Sequence, residues 1–168
     1  GQQHGLVVLG ADGEPLRPSM LWNDTRSAPQ ALALTEAIGA ERLADRVGSR
    51  PVASFTATKW AWLREHELAT AEATRAIRLP HDFLTERLTG NGVTDRGDAS
   101  GTAWWSSGEE AYATDILGHP LLRVDEAMLP RVLGPREAAG EVTSEASSAT
   151  GLRAGIAVGP GTGDNMGA

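Results

Sequence analysis

The sequence predicts an α/β fold, on three observations. Short apolar runs at residues 6–9, 77–79 and 155–158 alternate with stretches whose apolar residues recur at helical spacing. Most helical stretches are followed by a glycine, at Gly39, Gly48, Gly90 and Gly151, the residue that ends helices most easily. No internal repeat or low-complexity tract interrupts this alternation.

Taken in order, residues 6–9 are a strand, and Asp12-Gly13 turns the chain after it. Residues 19–22 are a second apolar run, so the pair reads as a hairpin or as two neighbouring strands. Ala31, Leu34 and Ile38 fall at i, i+3 and i+7 and define a helix face that Gly39 closes. Leu43 and Val47 repeat the pattern before Gly48. Residues 49–56 read as a loop, with Ser49, Pro51 and Ser54. A helix over 57–65 buries Trp60 and Leu63, and a short one covers 69–74. Residues 77–79 are a brief strand. Pro80-His81-Asp82 then opens a helix with Leu84 and Leu88 on one face. Residues 91–102, rich in Gly, Asp, Ser and Thr, are expected to be a polar loop. Weak helical patterns follow at 112–117 and 142–150. The strand at 155–158 leads into the turn Gly159-Pro160-Gly161-Thr162-Gly163-Asp164.

Composition narrows the function. The 168 residues suffice for one domain, and 40% hydrophobic content supplies a core. A net charge of −7 argues against a chain that grips nucleic acid by its phosphates. The absence of Cys excludes disulfides and thiolate metal sites. No apolar run approaches the roughly 20 residues that span a bilayer. A cytoplasmic protein is the expectation, with no nucleic acid and no membrane among its partners. The chain opens without Met and stops just past a turn poised to start a helix, so a piece of a longer protein is expected.

Three places carry candidate chemistry. Open α/β sheets bind ligands beyond the carboxyl ends of their strands. Asp164, after a strand and a glycine-rich turn, could therefore take a hydroxyl proton, or it could simply cap a helix. His4, just before the first strand, could bond a hydroxyl or serve as a structural strand-edge histidine. Trp22-Asn23-Asp24-Thr25-Arg26 joins a flat apolar ring to amide, carboxylate and guanidinium groups, a set that suits sugars. Its alternative is a helix cap at Asp24 with a solvated Arg26. Asp95, Asp98 and Ser100 lack the full calcium-loop pattern and read as a structural loop. Trp104-Trp105 read as packing residues. Lys59, the only lysine, reads as part of a solvated helix face. His66, His81 and His119 show no metal-ligand spacing, and no metal ligand is assigned.

Six ordered stretches together resemble the FGGY carbohydrate kinases, and within them the branch that acts on xylulose. They are Gly1-Gln2-Gln3-His4-Gly5, Leu21-Trp22-Asn23-Asp24-Thr25-Arg26, Phe55-Thr56-Ala57-Thr58-Lys59, Leu79-Pro80-His81-Asp82-Phe83-Leu84, Thr94-Asp95 with Asp98-Ala99-Ser100-Gly101-Thr102, and Gly161-Thr162-Gly163-Asp164-Asn165. The resemblance implies a partial actin-like (ribonuclease H-like) domain, with residues 1–168 the later part of the family's N-terminal, sugar-binding domain, ending at the junction to the second. It implies ATP-dependent phosphorylation of D-xylulose to D-xylulose 5-phosphate by the intact enzyme. ATP and Mg2+ would be bound mainly by parts outside this chain, and the piece alone would be inactive. Carried over residue by residue, Asp164 is the catalytic base, and Asn165 holds neighbouring hydroxyls. His4, with the Gln3 backbone, binds the sugar, Trp22 packs on its carbons, and Arg50 contacts it in some members. Another sugar or polyol (ribulose, fuculose, gluconate, glycerol) and a non-catalytic sugar-binding domain of the same fold are the alternatives. Faces that such a piece leaves uncovered would allow it to pair as a homodimer.

Overall fold

The computed structural model describes residues 2–164. Strand β1 (Val7–Leu9) is followed by helices α1 (Ala28–Ile38), α2 (Ala40–Val47), α3 (Thr56–His66) and α4 (Leu68–Ala73). Strand β2 (Ala76–Arg78), helix α5 (Pro80–Thr89), strand β3 (Val93–Asp95) and the short helix α6 (Arg96–Ser100) come next. The hairpin strands β4 (Trp105–Ser106) and β5 (Ala111–Tyr112), helix α7 (Thr114–Leu117) and a 3-10 turn at Glu126–Met128 lead to β6 (Arg131–Leu133). Strand β7 (Gly140–Glu141), helix α8 (Ser144–Thr150) and strand β8 (Ala157–Val158) complete the described chain.

The strands pair two by two. β1 lies antiparallel to β2 with Val8 opposite Ile77, and β3 lies parallel to β6 with Thr94 opposite Val132. β4–β5 and β7–β8 are antiparallel. The second apolar run does not form a full hairpin strand. It makes one antiparallel bridge, Leu6 to Met20, with N–H···O distances of 2.8 and 3.1 Å. Continuing that register sets position 4 opposite position 22, so a single bridge brings His4 and Trp22 together.

The main core lies between β1–β2 and helices α1 to α3, and includes Leu6, Val8, Met20, Leu34, Leu43, Leu63 and Ile77. Trp60 and Trp104 are its largest members, and Trp60 Nε1 donates to the Leu122 carbonyl at 2.8 Å. That bond satisfies the one polar atom of an otherwise apolar side chain. A smaller cluster of Val93, Leu133 and Ala139 holds β3, β6 and the segment before β7. No helix among the described residues is long and apolar enough to cross a membrane.

Four expectations are corrected. Residues 91–102 are not a loop but β3 and α6, and they are largely buried. Their polar side chains bond their own backbone: Asp95 accepts from the N–H groups of Gly97 and Asp98 at 2.7 and 3.2 Å, and Thr102 Oγ1 donates to the Ala99 carbonyl. Polar composition here marks internal capping rather than exposure. In α5 the inward face is His81, Asp82, Thr85 and Thr89, while Leu84 is 62% exposed. Lys59 faces the interior and is fully buried. Residues 112–117 divide into the end of β5 and the single turn of α7.

Candidate functional site

Five side chains from four separate segments line one concavity of about 250 Å³: Gln3, His4, Trp22, Ser54 and Asp164. Each segment arrives there for a local reason. Gln3 and His4 precede β1, Trp22 follows the Leu6–Met20 bridge, Ser54 ends the loop that enters α3, and Asp164 follows β8 and its glycine-rich turn. Of the residues expected to hold a ligand, Gln3, His4, Trp22 and Asp164 therefore converge. Arg50 is exposed and lines a different concavity, with Leu32, Thr35 and Val52. Asn165 lies outside the described residues.

The mouth and the floor differ in character. Trp22 is 55% exposed, so about half of its surface is open to a partner. Asp24 does not cap a helix. Its Oδ1 accepts from the Arg26 N–H at 3.1 Å and from Arg26 Nε at 2.9 Å, and the guanidinium lies 5.0 Å from the Trp62 ring centroid. That guanidinium is held by Asp24 and Trp62 while its side chain remains 46% exposed.

His4 is constrained from three sides. Its φ is +56°, a left-handed conformation that costs a non-glycine residue roughly 1–3 kcal/mol and gathers at functional sites. Phe55 meets its ring edge-on at 5.4 Å. Gly101 lies beneath it, so close that a Cβ there would fall inside the imidazole. Nδ1 is buried and makes no hydrogen bond among the described residues. Burial holds the imidazole below its ordinary range, although Asp98, Asp164 and Asp95 pull the other way. A neutral imidazole can both accept and donate, as a sugar hydroxyl or carbonyl requires. Gly101→Ala in the full-length protein is expected to push His4 aside and raise the sugar KM more than tenfold. Steady-state kinetics check this, and an unchanged KM would remove His4 from the sugar contact.

Lys59 supports the wall. Its Nζ donates to the Ala53 carbonyl at 2.8 Å and so pins the loop that carries Ser54 and Phe55. Burial pushes its pKa down to about 8, partly countered by Asp24.

Beneath the concavity sits a buried polar group that the sequence did not bring together. His81 Nε2 is 2.6 Å from Asp98 Oδ2 and 3.4 Å from Asp95 Oδ1, and His81 Nδ1 is 3.4 Å from Asp82 Oδ1. Burial alone would lower the His81 pKa, but Asp95 and Asp98 overcome it and raise the group to about 10. Burial pushes the Asp82 carboxyl up, while the His81 contact and bonds to its turn hold the Asp95 carboxyl down against its own burial. His81, Asp95 and Asp98 have the composition of a metal triad. Two ligands sharing one ion at about 2.1 Å each stand about 3 Å apart or more, wider than the 2.6 Å gap at which His81 Nε2 and Asp98 Oδ2 meet as charges without an aligned hydrogen bond. We therefore read it as an ion pair. Sequence reasoning missed Ser54, Phe55, Gly101 and this pair. The signal available was that Phe55, His81, Asp98 and Gly101 each fall inside one of the resembling stretches, whereas Ser54 falls in none.

A family model described as the FGGY family of carbohydrate kinases, N-terminal domain, matches residues 1–168. A protein named xylulose kinase from Streptomyces rubiginosus is 59% identical over the whole chain. The chain spans 34% of that relative's length. Among solved structures, xylulose kinase from Bifidobacterium adolescentis is 38% identical with a TM-score of 0.85, over 98% of this chain and 40% of that one. Xylulose kinase from Rhodospirillum rubrum is 26% identical with a TM-score of 0.90, over 99% of this chain and 34% of that one.

Proposed function

This chain belongs to the FGGY family of carbohydrate kinases, and on that footing we propose that it is the sugar-holding part of an enzyme that phosphorylates D-xylulose with ATP. Its fold is part of an actin-like, ribonuclease H-like domain. The observation that carries the proposal is the convergence of Asp164, His4, Gln3 and Trp22 on one concavity, from segments as far apart as the chain allows. Residues 1–168 are, on this reading, the later part of the N-terminal domain, up to its junction with the second.

Sugar recognition divides by chemistry. The Trp22 ring covers the C–H face, where apolar contact needs no hydrogen-bond partner. His4 and the Gln3 backbone take hydroxyl or carbonyl oxygens. Asn165 joins them by the family's pattern, and Arg50 would do so only if its loop moved toward the sugar. Asp164 accepts the proton of the terminal hydroxyl as that oxygen attacks the γ-phosphorus; the new O–P bond forms, and the bond to the departing ADP breaks. Phosphoryl transfer of this kind depends mainly on positioning and charge neutralisation, and a general base adds about 10²–10⁴ in rate.

By the family's pattern, the nucleotide and its Mg2+ would be bound mainly by parts of the protein outside this chain. Mg2+ is held by one or two carboxylates together with substrate phosphates. Among the described residues the concavity offers one carboxylate, Asp164, and neither Lys nor Arg lines it. On the same reading the protein works in the cytoplasm, where ATP is supplied. It handles small molecules rather than nucleic acid or membrane, and a homodimer is the assembly to test for.

The test is an ADP-release assay on the full-length protein with D-xylulose, D-ribulose, L-fuculose, gluconate and glycerol. D-Xylulose is expected to give a kcat/KM at least tenfold above the others. Preference for another of these moves the proposal to that sugar, and ADP release with none of them favours the non-catalytic alternative.

A further inference from the structure

We propose that His81 and Asp98 are a positioning pair: together they form the floor that sets Asp164 at its working distance from His4. The inference rests on the kinase reading of the site and extends it to residues that touch no substrate.

The loop that carries Asp164 lies directly on this pair. A Cβ at Gly161 would stand 2.9 Å from His81 Nδ1, and a Cβ at Gly163 would stand 2.7 Å from Asp98 Oδ1 and collide with the Gln3 side-chain amide. Gly161 also has φ +86°, which a side chain would strain. The loop can sit this low only because both positions lack side chains. Asp98 and His81 are 0% and 8% exposed, so neither can reach a ligand in the concavity.

The same short helix supports the other side of the site. Asp98 lies in α6, and the Gly101 N–H at the end of that helix donates to the Asp98 carbonyl at 3.1 Å. Gly101 is the surface on which the His4 ring rests. One piece of backbone thus fixes the height of the Asp164 loop through Asp98 and the height of His4 through Gly101. His81 ties that piece to α5, and Asp95 caps it from β3.

Buried ion pairs are poor sources of stability, because desolvation offsets the attraction. They are good at holding one geometry, since a small shift leaves a charge buried and unpaired. A base displaced by about 1 Å can lose 10²-fold in rate while ground-state contacts survive. A pair with this duty therefore acts on kcat rather than on sugar affinity.

The experiment compares Asp98→Asn, His81→Gln, their double variant and Gly161→Ala with the wild type, all as full-length protein. Melting curves and steady-state kinetics in D-xylulose and in ATP are recorded for each. Asp98→Asn and His81→Gln are each expected to lower kcat about 10–100-fold with the sugar KM changed less than about threefold. The double variant is expected to lose no more than the worse single one, because the two residues act as one unit. Gly161→Ala, which presses the loop off His81 without removing a charge or touching a residue of the concavity, is expected to give the same kcat-selective loss, and it decides the matter if the charge variants do not fold. Folded variants with kcat within threefold of wild type, losses that multiply in the double variant, or a rise in sugar KM in place of the fall in kcat would each overturn the proposal. A wild-type protein that phosphorylates no sugar would overturn the kinase reading itself, an outcome visible before any variant is made.

Discussion

Asp164→Ala in the full-length protein is expected to lower kcat for sugar phosphorylation by about 10²–10⁴-fold, the range a general base contributes. Sugar binding, measured by calorimetric titration without nucleotide, is expected to persist within about tenfold. The reasoning separates two functions that share one concavity. Trp22, His4, Gln3 and Ser54 line it independently of the carboxylate, so the ring face and the hydroxyl partners remain when residue 164 is truncated. What is lost is the acceptor for the proton, which is needed only as the oxygen attacks. An interaction made only in the transition state lowers kcat and kcat/KM together. Retention of more than about a tenth of wild-type kcat would falsify the base assignment. Loss of sugar binding in parallel with kcat would instead make Asp164 a binding residue.

The largest expected effect on stability is at Trp60. Trp60→Ala should cost about 3–5 kcal/mol, the range for truncating a buried aromatic residue, and it also leaves the Leu122 carbonyl without its 2.8 Å partner. Domains are stable by only about 5–15 kcal/mol, so this is a large share of the whole. Trp60 is 1% exposed and sits in α3, one turn beyond the Ser54–Phe55 loop that walls the concavity. Its loss should therefore loosen the site as well as the core. Trp60→Phe keeps most of the apolar contact and gives up the hydrogen bond, with an expected cost of about 1–2 kcal/mol. Denaturant unfolding of the full-length variants, followed by near-UV circular dichroism, checks the order. A midpoint for Trp60→Ala no lower than that for Trp60→Phe would show that the cavity is filled by collapse of its neighbours.

Both predictions stand on features legible in the chain to different degrees. The helices α3 and α4 were readable within a residue, and the ends of α1 and α2 at Gly39 and Gly48, because apolar spacing and a closing glycine are local signals. The strands β4, β6 and β7 left no readable trace. Each is two or three residues long and owes its existence to its partner rather than to its own propensity. The six resembling stretches led to the family, which the match over residues 1–168 bears out.

By itself, the sequence determined the class of fold, the first four helices and the family, since these depend on neighbours along the chain or on an ordered set of short motifs. Only the tertiary structure decided which polar residues lie inside. Lys59 reads as solvated and is buried on the Ala53 carbonyl; residues 91–102 read as a loop and become a floor; Arg50 and Asp164 read alike and are directed to different concavities. The physical reason is that a buried polar group is tolerated only where a partner meets it. For His81 that partner is Asp98, 17 positions along the chain, and no local pattern can foretell such a meeting.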